Sequence, residues 1–210
     1  LPLVSYRGPL AMCPVGPTLR SIRLDKGPGF QLRFPLHELL RRCPQLRELH
    51  GVELDPDKTY SLAHPQLHTL TARGHAGASL SLRGVVKLRC LHLQDNLIAF
   101  RLSSTLQHLT MGDLPPCLPP CLPPQLKTLV VHHQSSISLQ DLHLANLLQL
   151  QYVEVDGHGD KLSVENVPQL QHLACYYATV ELQATVALKT LLLPYTESVV
   201  VTGSLAGVRT

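Results

Sequence analysis

LQHLTM (106–111), LKTLVV (126–131), LQYVEV (150–155), LQHLAC (170–175) and LKTLLL (188–193) are one six-residue phrase written five times. Working outward, it recurs as LRCLHL (88–93), LHTLTA (67–72), LRELHG (46–51) and LRSIRL (19–24), and LAGVRT (205–210) begins a tenth copy. Successive starts lie 17 to 27 residues apart, a mean of about 21, which is the period of a stacked repeat array. Two columns fix the register. The second position reads Arg20, Arg47, His68, Arg89, Gln107, Lys127, Gln151, Gln171, Lys189, always long or ring-bearing and polar. The fourth reads Ile22, Leu49, Leu70, Leu91, Leu109, Leu129, Val153, Leu173, Leu191, always aliphatic. Side chains alternate faces along a short strand. The fourth and sixth positions are therefore expected inside, and the third, fifth and seventh outside. One unit cannot bury its apolar side alone, but stacked units bury a continuous core and pair their strands in parallel.

The L-x-x-L-x-apolar phrase resembles the leucine-rich repeat family, over nearly the whole chain from Leu19 onward. The resemblance implies a β-rich α/β repeat solenoid, an arc whose concave side is a parallel β-sheet. The domain reading is a flank or cap over 1–18 and a leucine-rich repeat domain over 19–210, with about nine repeats and a partial tenth. The family's asparagine at the ninth position survives only as Asn96, so turn geometry is expected to vary between units.

The back halves of several units alternate with a period near two: YSLAH (60–64), SLSLRG (79–84), FRLSS (100–104), LSVENV (162–167), VELQAT (180–185) and VVVTGS (199–204). This predicts short strands on the convex side in place of helices. Helix is expected over 34–43 (FPLHELLRRC) and 138–150 (SLQDLHLANLLQL), the latter with a Ser cap and Asp141 in its first turn. The prolines of LPPCLPPCLPPQL (114–126) forbid helix and predict an extended crossing. An open last unit predicts continuation, or capping by another domain or chain, at the C-terminal end.

The bulk properties exclude several classes. The apolar fraction of 44% argues against disorder. A net charge of +3 with scattered Lys and Arg gives no footprint for nucleic acid, and no apolar run is long enough to span a membrane. The six cysteines form no dense framework and no glycosylation sequon occurs, which points to an intracellular, cytoplasmic setting. Nucleophile-elbow, phosphate-loop, H-E-x-x-H and C-x-x-C signatures are lacking, so the chain is not expected to be an enzyme or to hold a cofactor. The glycines of GPGF (27–30) and GHGD (157–160) read as turns. Twelve histidines, several on outward columns, read as a mixed polar surface before they read as a zinc site. Cys117 and Cys121, set among prolines, read as packing residues before a disulfide or metal pair.

Inward columns are uniform and outward ones diverse. The expected function is therefore protein–protein recognition, with a protein partner on the concave face. The expected contact residues are Tyr152, Glu154, Asp156, His172, Tyr176, Tyr177, Leu192 and Tyr195, with His132 and His108, because exposed Tyr and Leu on one face mark an interface. In this reading Val52 also lies on an outward column. Two other readings stay open. HELLRRCPQLRELHGVEL (37–54) resembles the repeats that follow F-box domains, and LPPQLKTL (122–129) is similar to units of bacterial effector ligases, which implies substrate selection for a ubiquitin ligase. An architectural scaffold segment is the other.

Overall fold

The structure is a computed structural model that describes residues 3–8, 15–24, 36–74, 77–95, 98–112, 122–132, 141–183 and 187–202. The chain divides into two compact units, Leu1–Leu106 and Gln107–Thr210, and each is a parallel β-solenoid with rungs about twenty residues apart.

In the first unit, β1 (Ser5–Gly8), β2 (Ser21–Leu24), β3 (Glu48–Leu54), β5 (Thr69–Gly74) and β7 (Cys90–Asp95) pair side by side, all parallel. The returning halves of three rungs form a second parallel sheet from β4 (Thr59–Ala63), β6 (Ser79–Gly84) and β8 (Ile98–Arg101). The flank read over 1–18 thus contributes a strand of its own, with Ser5 opposite Ser21. In the second unit, β9 (His108–Met111), β10 (Thr128–His132), the first part of β12 (Tyr152–Glu165), the first part of β13 (His172–Gln183) and β14 (Thr190–Leu192) form one parallel face. The later parts of β12 and β13 continue round the turn and pair with β11 (Leu142–Ala145) and β15 (Ser198–Thr202).

The repeat phrase explains this arrangement. Its first position enters the core at Leu19, Leu46, Leu67, Leu88, Leu106, Leu126, Leu150, Leu170 and Leu188, and its fourth does so from Ile22 to Leu173. Each buried leucine contributes about 1.5–3 kcal/mol of transfer free energy. A four-residue corner precedes most rungs. The N–H of the repeat leucine donates to the carbonyl three residues back, as in Leu46 to Cys43 at 3.0 Å, Leu126 to Pro123 at 3.0 Å and Leu170 to Val167 at 3.2 Å. Pro44, Pro124 and Pro168 hold the second position of these corners, where their fixed φ suits a tight turn. At the HPQL corner (64–67) a buried ring takes part. Gln66 N–H donates to His64 Nδ1 at 3.2 Å, and His64 Nε2 bonds the Cys43 carbonyl of the corner one rung earlier at 3.0 Å. This fixes the proton on Nε2.

Several expectations need correction. The solenoid is β-rich and the α/β description is not confirmed, because α1 (Leu36–Arg42) is the one helix among the described residues. It matches the segment expected at 34–43 and buries Leu36, Leu39 and Leu40. The helix expected over 138–150 is absent from its described part. Residues 142–145 are a strand, Asn146 turns the chain with φ of 58°, and 147–150 form a corner. Asn146 recurs one rung later as Asn166, with φ of 51°, and Asn166 Nδ2 donates to Asn146 Oδ1 at 2.7 Å. Each of the six back-half segments expected as strands overlaps one, FRLSS by only its first two residues. Val52 is 1% exposed instead of outward. Gly51 takes a positive φ of 75° where a Cβ would lie 2.4 Å from the Leu24 carbonyl oxygen. The register shifts there by one bulge, so Val52 fills the sixth-position site. GHGD lies inside β12 and is not a turn. Asn96, Cys117, Cys121, GPGF and the proline run over 114–121 lie outside the described residues.

Candidate functional site

The outward side of the first face of unit 2 gathers most of the expected contact residues. Its third-position ladder runs His108–Thr128–Tyr152–His172–Thr190 and its fifth runs Thr110–Val130–Glu154–Ala174–Leu192, each residue opposite the next across paired strands. Neighbouring strands lie about 4.8 Å apart, so these side chains stand side by side. His108 Nδ1 and Thr128 Oγ1 are 3.1 Å apart. The Tyr152 and His172 rings stack with centroids 4.5 Å apart and planes 8° from parallel. Tyr152 donates its hydroxyl to Glu154 Oε2 at 2.6 Å. That bond to a carboxylate raises the phenol's pKa, with burial adding to it, so the ring stays neutral.

A bulge builds the second half of the site. Pairing between β12 and β13 shifts after Val155–Cys175, so that His158, not Asp156, stands opposite Tyr176. The His158 ring meets Tyr176 edge-on at 5.9 Å and Tyr195 at 5.9 Å, while Tyr176 and Tyr195 stack at 5.6 Å. Tyr195 is 66% exposed and Leu192 47%. Asp156 is exposed opposite His132, which is exposed too. His158 is absent from the expected contact set because its flanking glycines read as a turn. The signal available was the alternation of V-x-G-x-G-x-K-L, which continues the strand.

Tyr177 does not belong to this surface. It is 0% exposed, since it follows Tyr176 by one residue in a strand and must point the other way. Its ring fills the space over Gly159, where a Cβ would lie 2.2 Å from Tyr177 Cε1. Its buried hydroxyl has no hydrogen-bond partner among the described residues. Burial, with the nearby Cys175 and Asp141, pushes the Tyr177 phenol far up, and burial pushes the Cys175 thiol up to about 11. Both groups are core, not chemistry.

No set of three or more His, Cys, Asp or Glu side chains converges on a possible metal position among the described residues, and no helix there is long and apolar enough to cross a membrane. Comparison with family models, with curated proteins and with solved structures gave no match.

Proposed function

We propose that the chain is a strand-rich leucine-rich repeat protein and that the outward face of β9, β10, β12, β13 and β14 is its protein-recognition surface. On a leucine-rich repeat array this would be the concave side. The observation that supports this reading is the run of side chains from Tyr152 and His172 to His158, Tyr176 and Tyr195. These are large rings in two contacting groups, Tyr152 with His172 and His158 with Tyr176 and Tyr195, with the exposed Leu192 in the same rung as Tyr195. Rings fixed this way lose little entropy on binding and keep polar tips for hydrogen bonds. The core does not need them, because the inward positions of the same strands are already filled by Val153, Val155, Leu173 and Cys175. Glu154 and Asp156 add two carboxylates that form no ion pair with a described residue. The partner this surface suits offers an apolar patch with cationic groups around it.

The test is an affinity capture from native lysate with the full chain and with a Tyr152→Ala, Tyr176→Ala, Tyr195→Ala variant. Far-UV circular dichroism would confirm that the variant is folded. One or a few proteins held by the wild type and lost from the variant would support the reading. Unchanged capture would place recognition elsewhere.

A further inference from the structure

Unit 1 carries a surface of another character. Residues 1–106 hold fourteen Lys and Arg against seven Asp and Glu, whereas residues 107–210 hold four against eight. The small net charge of +3 therefore hides two halves of opposite sign.

The positive half is ordered. The second position of successive rungs reads Arg20, Arg47, His68 and Arg89. Arg47 N–H donates to the Arg20 carbonyl at 2.7 Å, His68 N–H to that of Arg47 at 2.8 Å, and Arg89 N–H to that of His68 at 2.8 Å. The backbone thus fixes these residues on consecutive rungs, about 4.8 Å apart. Arg20, Arg47 and Arg89 are exposed, and the exposed Arg23 lies beside them in the fifth position. None of the four forms an ion pair with a described residue. The carboxylate in the adjoining third column is Glu48, which accepts a hydrogen bond from Ser21 Oγ at 3.0 Å. A row of like charges held at rung spacing is a standing electrostatic cost to the fold, and an anionic ligand would relieve it.

The ligand class follows from the neighbours. The third- and fifth-column side chains of these rungs are Ser21, Arg23, Glu48, His50, Thr69, Thr71, Cys90 and His92, and Glu53, Arg73 and Gln94 follow them further along the strands. No Tyr, Phe or Trp stands among them to stack the bases of a single-stranded nucleic acid. The cations are arginines, whose planar fork matches a carboxylate in two parallel bonds. We propose that the Arg20–Arg47–Arg89 ladder, flanked by Arg23, binds an acidic polypeptide segment laid across the rungs. Three rung steps span about 14 Å, the reach of four or five extended residues. The ladder does not depend on the Tyr152–Tyr195 surface and is tested apart from it.

The experiment measures fluorescence anisotropy of labelled decaglutamate, decalysine and a thymidine decanucleotide with the full chain at low ionic strength. It is repeated with an Arg20→Gln, Arg47→Gln, Arg89→Gln variant, with the matching triple Lys variant, and with Arg83→Gln as a control on the other sheet. Decaglutamate should bind the wild type. Its affinity should fall about tenfold in the Gln variant, the combined effect of three exposed ion pairs. The Lys variant should fall in between, Arg83→Gln should match the wild type, and added salt should weaken binding. The proposal is overturned if decaglutamate does not bind or if the Gln variant binds it as well as the wild type. Equal loss in Arg83→Gln would show diffuse attraction only, and tighter binding of the thymidine strand would make the ladder a nucleic-acid surface. Circular dichroism of each variant separates lost contacts from lost fold.

Discussion

Adding one methyl group at Gly159 should cost unit 2 much of its stability. The Cβ of Gly159→Ala would lie 2.2 Å from Tyr177 Cε1, 2.7 Å from Cδ1 and 2.9 Å from Cζ. Comfortable carbon–carbon contact begins near 3.5 Å, and the ring is fully buried. Overpacking of this kind costs about 1–3 kcal/mol, and the depth of this overlap puts the expectation at about 3. Hydrogen exchange of β12 and β13 amides is the suitable assay, because it reads the opening free energy of one region without assuming that the whole chain unfolds together. Two companion variants sharpen the test. Tyr177→Val is itself destabilising but vacates the space, so Gly159→Ala should cost less on that background, with a coupling of about 1 kcal/mol or more. Tyr177→Phe deletes a buried hydroxyl that has no partner among the described residues. It should therefore be neutral or stabilising by up to about 1 kcal/mol. Unchanged exchange in Gly159→Ala, or a cost that simply adds to that of Tyr177→Val, would refute the packing of ring on glycine.

Two further predictions concern the corners. Burial lowers the His64 pKa, against a smaller opposing effect of its bond to the Cys43 carbonyl. The unfolded chain takes up a proton near pH 6.5 that the folded unit resists, so unit 1 should lose stability as pH falls below about 6.5 and keep losing it until the lower folded-state value is passed. Urea midpoints between pH 7.5 and 5 should show this slope. It should flatten in His64→Gln, with a residue left by His50, whose pKa burial also lowers; an equal slope in the variant would refute the assignment. At Asn166, Val should cost about 2 kcal/mol through left-handed strain and the lost bond to Asn146, while Gly should cost about 1 or less. Equal urea midpoints for the two variants would show that the backbone conformation is not the source.

Much of this was legible because a strand reports its two faces at every second residue. The columns of the repeat phrase placed the core at its fourth and sixth positions, and the back-half alternation located the second strand of several rungs. The failures share one cause: glycine, asparagine and paired apolar residues do not say locally which way the chain continues. SLQDLHLANLLQL spaces its leucines to satisfy both a helix and a strand followed by a corner, and only the left-handed Asn146 decides. Gly51 allows a bulge that slips the register and carries Val52 inward, while the GHGD glycines read locally as a turn although strand alternation continues through them and puts His158 outward. The corners were visible as CPQL (43–46), HPQL (64–67), PPQL (123–126) and VPQL (167–170), but their meaning needed the leucine N–H bonds. The contact surface was legible as a set of columns. Tyr176 and Tyr195 were among the expected contact residues, but their contact with each other and with His158 was not legible, because Tyr195 follows the last strand of the face.

The rung bonds have a consequence for how the chain finds its fold. Thr59 meets Ser79, Lys87 meets Gln66, His108 meets Thr128 and Asn166 meets Asn146, each across 20 or 21 residues. Within each unit a residue seldom searches further along the chain than one turn for its partner, so the loop-closure entropy of each step is small and nearly constant. Assembly can start at whichever pair of rungs forms first and spread in both directions by zipping. A lesion such as Gly159→Ala would then act as a stopped tooth. Rungs on one side of it would still close while those on the other waited, giving a half-zipped species whose bare strand edge is free to pair with another chain.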